Sequence, residues 1–239
     1  MTNVLQAPDP QSSPSPLLRF YRSPIGKKLI SGLTGLALVT FVVVHLVGNL
    51  WLWAGHQAYN AYAHWLESWG GLLYAIEALL LLALLLHMAV GLEIFVGRLR
   101  ARPQAYQRYQ PLGGDRLQSL GSRSMVVTGA TLGIFLVAHL LTFKFGPYYS
   151  TELRGEAVRD LARLVVEVFR QPVPTLVYSA VLLGLGMHLR HGLWSALQSL
   201  GLLQGPQRVL AVGASLVLAI AIVLGFGVLP WGVFLGAIA

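Results

Sequence analysis

No cysteine occurs in the 239 residues. That removes disulfides, thiolate-ligated iron–sulfur clusters, thiolate zinc sites and the CxxCH attachment of a covalent haem. Any metal must be held by histidine or oxygen ligands. Charge is scarce as well: Asp, Glu, Lys and Arg make up 11% of the chain, where a soluble domain carries about a quarter. The acidic residues number 9 against 17 Lys plus Arg, a formal charge of +8. Most of the basic residues flank apolar runs, so a membrane surface accounts for them more simply than nucleic acid does.

What is abundant is hydrophobic sequence, 55% of the chain with a mean hydropathy of +0.64. The charges fall between long apolar stretches, the pattern of a multi-span membrane protein. Five spans are predicted, over about 23–53, 71–97, 124–145, 174–200 and 206–234. The first begins near Ser23 or Pro24, where a proline in the first helical turn loses no needed hydrogen bond. Residues 1–22 read as a polar, proline-rich, disordered tail, with no basic segment before a short apolar core as a signal peptide would have. Between Thr151 and Arg170, Leu153, Ala157, Leu161, Leu164 and Val168 recur at helical spacing, and the intervening residues carry both signs of charge. This predicts an interfacial helix over 151–170. No internal repeat is convincing at this level.

The first apolar run, GLTGLALVTFVVVHLVGNLWLW, contains one ionisable residue, His45. Three later runs carry His87, His139 and His188. A single histidine in an apolar helix is most often a hydrogen-bonded packing residue. Four of them on four helices are harder to dismiss, because each ionisable group in the bilayer is costly and faces the bundle interior. Arginines at 98, 100, 102, 108, 116 and 123, with Arg19, Arg22, Lys27 and Lys28, place the N-terminus inside by the positive-inside rule. A helix rises about 1.5 Å per residue, so position along each span gives depth and sorts the histidines. His45 and His139 form an outer pair, His87 and His188 an inner one. Two bis-histidine haems stacked across the membrane are the expected arrangement, inside an all-α, five-helix bundle with a haem-binding four-helix core.

His191 lies on nearly the same helix face as His188, so spacing alone admits it as the ligand. With Arg190 it is equally placed to meet haem propionates. His56 and His64 fall in the first outer connection and read as solvated or interfacial. Glycines 48, 91 and 184 sit near the histidines, where a flat macrocycle would approach the backbone. Glu67 and Glu77 are the candidate proton-transfer residues for quinone, Glu77 the more deeply buried, with Trp65 and Trp69 bounding an apolar slot. Glu93, nearer the inner side, is expected to pair with arginine.

The stretches SGLTG…FVVVHLVGNL, YNAYAHWLES, LLLHMAVGLEI, FLVAHLL and MHLRHGLWSALQSLG resemble the cytochrome b membrane-anchor subunit of succinate dehydrogenase and fumarate reductase, of the single-chain, di-haem, five-helix type. The resemblance covers nearly the whole chain. It implies two non-covalent haem b groups with axial ligands at His45, His87, His139 and His188, the last chosen over His191 by the HxxxGLW match. It implies a flavoprotein and an iron–sulfur partner on the cytoplasmic face, membrane quinone (commonly menaquinone) as the reactant, and the inner membrane of a prokaryote. Some fumarate-reducing relatives carry a glutamate two residues before the fourth ligand, linked to proton transfer; this chain has Gly186, which leans toward succinate oxidation. Alternatives are a quinol:fumarate reductase anchor, or a haem anchor for a hydrogenase or formate dehydrogenase. A bc-type cytochrome b, with two haem histidines on each of two helices, does not fit one histidine on each of four. A proton or metal transporter would need the inverted repeats and broken helices that are missing.

Overall fold

Long apolar segments in lipid must satisfy their backbone internally, and helices do so without a partner. The computed structural model describes residues 15–101 and 116–239, with side chains from 15–101 and 124–239. Helix α1 (Pro16–Arg22) is followed by α2 (Pro24–Leu50), α3 (His56–Glu67), α4 (Gly71–Ala101) and α5 (Arg116–His139). A β-hairpin, β1 (Ser150–Leu153) and β2 (Glu156–Arg159), precedes α6 (Leu161–Phe169), α7 (Pro172–Ser199) and α8 (Gln207–Phe234). Among the described residues five segments are long and apolar enough to cross a membrane: Pro24–Ala54, Gly71–Ala101, Ser124–Lys144, Pro172–Ser199 and Gln207–Phe234. The shortest, 21 residues, spans about 30 Å at the helical rise. Their outward faces are apolar, as at Ile134 and Leu183, which are 74% and 64% exposed. Such a surface suits lipid rather than water. The protein is a multi-span helical membrane bundle.

Local signals set the boundaries. The Ser23 hydroxyl accepts from Gly26 N at 2.9 Å and Pro24 opens α2, as the sequence predicts. In place of a wholly disordered tail, residues 16–22 form α1, capped by Ser15. Residues 1–14 and 102–115, with most of the tail and of the arginine-rich loop, lie outside the described residues. The expected helix over 151–170 is corrected in its first half. Arg154 and Gly155 both have positive φ, 53° and 86°, making a tight hairpin turn in which Thr151 pairs with Val158 and Glu152 with Ala157. Helical periodicity holds only from Leu161. The Asp160 carboxylate caps that helix by accepting from Arg163 N at 3.1 Å.

Helix α8 packs most extensively on α7 and also approaches α2 closely. Lipid tails are as apolar as leucine, so van der Waals fit between close backbones holds membrane helices together. A β-carbon at Gly186 would lie 2.7 Å from Val223, one at Gly225 2.8 Å from Leu46, and one at Gly232 2.9 Å from Trp53. These glycines let α8 seat against its neighbours, burying Ala219 and Ile222.

A second core lies at one end of the spans. Leu52, Tyr59, Ala162, Val165, Val166 and Phe169 pack with Leu229 and Val233. Helix α6 therefore lays its apolar face on α3 and the end of α8 rather than on lipid alone. Asn60, 2% exposed, ties the two helices together. Its Nδ2 donates to Asp160 Oδ1 at 2.8 Å, and its Oδ1 accepts from Ala162 N at 2.9 Å. Helices α3 and α6 with the hairpin form a cap over the end of the bundle at which α2 finishes. That end is termed outer below, and the end at which α2 starts inner.

Candidate functional site: two imidazole pairs

Four half-buried histidines project from α2, α4, α5 and α7, and the helices bring them together in twos. The rings of His45 and His139 have centroids 5.8 Å apart, nearly perpendicular at 88°. Those of His87 and His188 lie 6.3 Å apart at 64°. A metal bonded to one nitrogen of each of two opposed imidazoles, at about 2.0 Å per bond, would set ring centres roughly 6 Å apart. Among the described residues no group of three or more His, Asp or Glu side chains converges on a point. Each pair would thus fill two positions and leave the rest to a cofactor.

The pairs sit at two levels. On α2, Thr34 and Gly35 touch His87, and His45 follows Thr34 by close to three helical turns. On α5, Thr128 touches His188, and His139 follows Thr128 by the same interval. On α7, Tyr178 touches His139, with His188 nearly three turns further on. Three turns amount to about 16 Å of rise. Each of these three helices therefore shows both levels on one face.

The spacing exposes a repeat that the sequence reading missed. Thr34-Gly35-x5-Phe41-x3-His45-Leu46 in α2 recurs as Thr128-Gly129-x5-Phe135-x3-His139-Leu140 in α5. His87-x3-Gly91-Leu92 in α4 recurs as His188-x3-Gly192-Leu193 in α7. The repeated residues have equivalent contacts. Phe41 packs on His45 at 5.4 Å between ring centres, and Phe135 on His139 at 5.6 Å. Gly35 and Gly129 lie against the inner imidazoles, where a β-carbon would sit 3.1 Å from His87 Cε1 and 3.5 Å from His188 Cε1. The expected glycines fare differently. Gly48 makes room for Tyr62, while a β-carbon at Gly91 or Gly184 would meet nothing within 4 Å. The signal was the fixed Thr–His interval, diluted among apolar residues that any span contains.

Ring partners differ between levels. His139 Nδ1 lies 3.3 Å from the Tyr178 hydroxyl. Immediately after His139 the chain adopts one π turn, Leu140–Lys144, a local widening frequent at functional sites. It sets Phe143 5.2 Å from the His139 ring. His45 is met differently, by the Asn49 amide nitrogen at 3.3 Å from Nε2. That amide also donates to His45 O at 2.8 Å, and its oxygen accepts from the Tyr59 hydroxyl at 3.1 Å. Burial pushes the Tyr59 phenol up to about 12.

Several further nitrogens are buried without a hydrogen-bond partner among the described residues. They are Nδ1 of His191 and Nε1 of Trp194 towards the inner end, and Nε of Arg159 and Nε2 of His56 in the outer cap. Buried polar nitrogens of this kind ordinarily find a hydrogen-bond partner. The Arg159 guanidinium also donates through Nη2 to Phe143 O at 2.8 Å, beside the ring that contacts His139. Sequence reasoning named Arg190 and His191 but overlooked Trp194 and Arg159. His56, expected to be solvated or interfacial, is half-buried, and His64 lies 3.6 Å from the Glu156 carboxylate.

Of the carboxylates, Glu77 is more exposed than expected. Glu67 ends α3 and is exposed, near Trp65 and Trp69, whose rings meet edge-on at 4.9 Å. It makes no hydrogen bond to either imidazole pair. Glu77 is half-exposed and ion-paired with Lys144, so it is not a deeply buried acid. Glu93 pairs with Lys27 at 2.9 Å and accepts from the Tyr21 hydroxyl at 2.6 Å, a lysine and a tyrosine in place of the expected arginine. No family model, curated protein or solved structure matches the chain. The site is therefore read from its own residues.

Proposed function

We propose that this chain is a di-haem cytochrome b anchor subunit of a succinate:quinone oxidoreductase, passing electrons between an iron–sulfur subunit and membrane quinone, with menaquinone preferred. The observation that carries the reading is the assembly of four helix-borne histidines into two opposed pairs at two levels of one bundle. In this reading His45 and His139 hold the outer haem and His87 and His188 the inner one. The haem supplies one-electron chemistry when bound. The four-helix core is α2, α4, α5 and α7, with α8 as a buttress.

The remaining residues fit a carboxylate-bearing macrocycle. His191 and Trp194 offer donors at the inner end, with Arg190 on the same turn of α7. Arg159 and His56 offer them in the outer cap. A buried guanidinium nitrogen favours an anionic partner, and haem brings two propionates. Phe41, Phe135 and Phe143 flank the outer imidazoles and limit water there.

The flavoprotein and iron–sulfur partners would dock at the inner, cytoplasmic end, where Arg22, Lys28, Arg98 and Arg208 gather. Charge of one sign over a wide face speeds encounter and fixes orientation. Glu67, with Trp65 and Trp69, is the preferred proton-transfer residue for an outer quinone site; Glu77 is the weaker candidate because Lys144 neutralises it. The quinol:fumarate alternative with a transmembrane proton route is disfavoured by Gly186, where a β-carbon would lie 2.7 Å from Val223 and a glutamate would have no room without a shift.

The test is spectroscopic. The chain purified with its native partners should contain two b-type haems, both reduced by succinate and reoxidised by a menaquinone analogue. A colourless, fully assembled protein would overturn the cofactor assignment. Haem reduced by hydrogen or formate but not by succinate would reassign the partner.

A further inference from the structure

The inner pair is held by matched devices that the repeat places on two different helices. Thr34 Oγ1 donates to Ile30 O at 2.7 Å and Thr128 Oγ1 to Ser124 O at 3.0 Å. A hydroxyl has one proton. With that proton turned back into its own helix, each oxygen presents lone pairs to the neighbouring imidazole. His188 Nδ1 lies 3.1 Å from Thr128 Oγ1. His87 Nδ1 lies 3.4 Å from Thr34 Oγ1 and 3.2 Å from Ser31 O. The Ser31 carbonyl accepts and never donates, so His87 Nδ1 carries the proton; at His188 the acceptor is the Thr128 oxygen, whose own proton is directed to Ser124 O, and Nδ1–H follows from that bond. The lone pair is then on Nε2 in each, the tautomer a shared metal needs. The outer pair has no such arrangement: Tyr178 meets His139, and His45 faces a donor, the Asn49 amide.

We propose that Thr34 and Thr128 are positioning residues of the inner centre, fixing the tautomer of His87 and His188 and setting the redox potential of the haem between them. The inference rests on the reading given under Proposed function. An acceptor on the far nitrogen of a ligating imidazole raises its basicity and orients the ring. A more basic ligand favours the oxidised iron, so removing the acceptor raises the midpoint potential. Gly35 and Gly129, next in sequence to each threonine, let the ring settle on the backbone beside it.

The assay is a redox titration of the full complex carrying Thr34→Val, Thr128→Val or the matching serine substitutions, preceded by haem quantitation. The inner haem is identified as the one lost in His87→Ala. Valine matches threonine in shape and removes the acceptor, while serine keeps it. The inner midpoint should rise in both valine variants and stay near the parental value in both serine variants, with the outer midpoint fixed throughout. Thr128→Val should shift it more, because His87 retains the Ser31 carbonyl and His188 has no second acceptor among the described residues. Loss of the inner haem from the valine variants and from Thr128→Ala, with retention in the serine variants, also supports the proposal. Two haems present with an unmoved inner midpoint would overturn it. Absence of haem from the parental protein would instead defeat the underlying reading.

Discussion

Replacing Asn60 by alanine should loosen the outer cap by about 2.5–6 kcal/mol, the sum of two losses. The side chain is 2% exposed and makes two hydrogen bonds that nothing nearby replaces. Its Nδ2 bond to the Asp160 carboxylate is charge-assisted, a class worth about 1.5–3 kcal/mol. Its Oδ1 accepts from Ala162 N, a first-turn N–H of α6 in a residue 0% exposed. Orphaning a buried donor costs about 1–3 kcal/mol. Asp160 retains the Arg163 N–H, so the cap of α6 persists and the loss falls short of complete unfolding. The preceding residue, Tyr59, donates to Asn49 at the outer imidazole, so the loosening should reach the site. The measurement is detergent-driven unfolding in mixed micelles, followed by tryptophan fluorescence, with the rate of proteolysis within 150–170 alongside. Asn60→Asp supplies a control: it keeps an acceptor for Ala162 N but faces Asp160. It should be destabilised at neutral pH and recover as acid protonates one carboxyl. A change below about 0.5 kcal/mol in Asn60→Ala, the usual range for surface substitutions, would refute the reasoning.

Gly186→Ala should destabilise the bundle by about 1–3 kcal/mol through overpacking against Val223, and Val223→Ala should restore most of it in a double mutant. Tyr59 has its folded pKa raised by burial from 10.0 to about 12. Its contribution is therefore complete below pH 10 and is lost as pH rises toward 12, because the unfolded phenol ionises first; Tyr59→Phe should flatten that alkaline limb in a pH series of unfolding curves. Glu67→Gln should lower quinone-dependent turnover while leaving both haems and dye-linked succinate oxidation intact. Unchanged quinone kinetics would remove Glu67 from the mechanism.

The spans were legible because a bilayer enforces one rule along the whole segment, and four histidines against an apolar background are conspicuous. Depth read from the regular helical rise sufficed to sort them into the pairs that the helices bring together. The hairpin was not legible because Leu153 and Ala157 happen to keep helical spacing with Leu161, masking the turn at Arg154-Gly155. Glu77 was misjudged for a related reason: position along α4 gives depth but not which way a side chain faces, and Lys144 lies across from it. The Thr–Gly partners of the inner imidazoles needed the neighbouring helix to be in place before their interval to His45 and His139 acquired meaning. Arg159 belongs to the hairpin, so the burial of its Nε could not be foreseen from a segment read as a surface helix.

The central claim is that the four histidines act as two pairs, His45 with His139 and His87 with His188. Haem content and low-spin spectra of the four single alanine variants test it most directly. The account predicts that His45→Ala and His139→Ala lose one and the same haem, and that His87→Ala and His188→Ala lose the other. Loss of a single shared haem by His45→Ala and His87→Ala, or full haem content in any of the four, would contradict it.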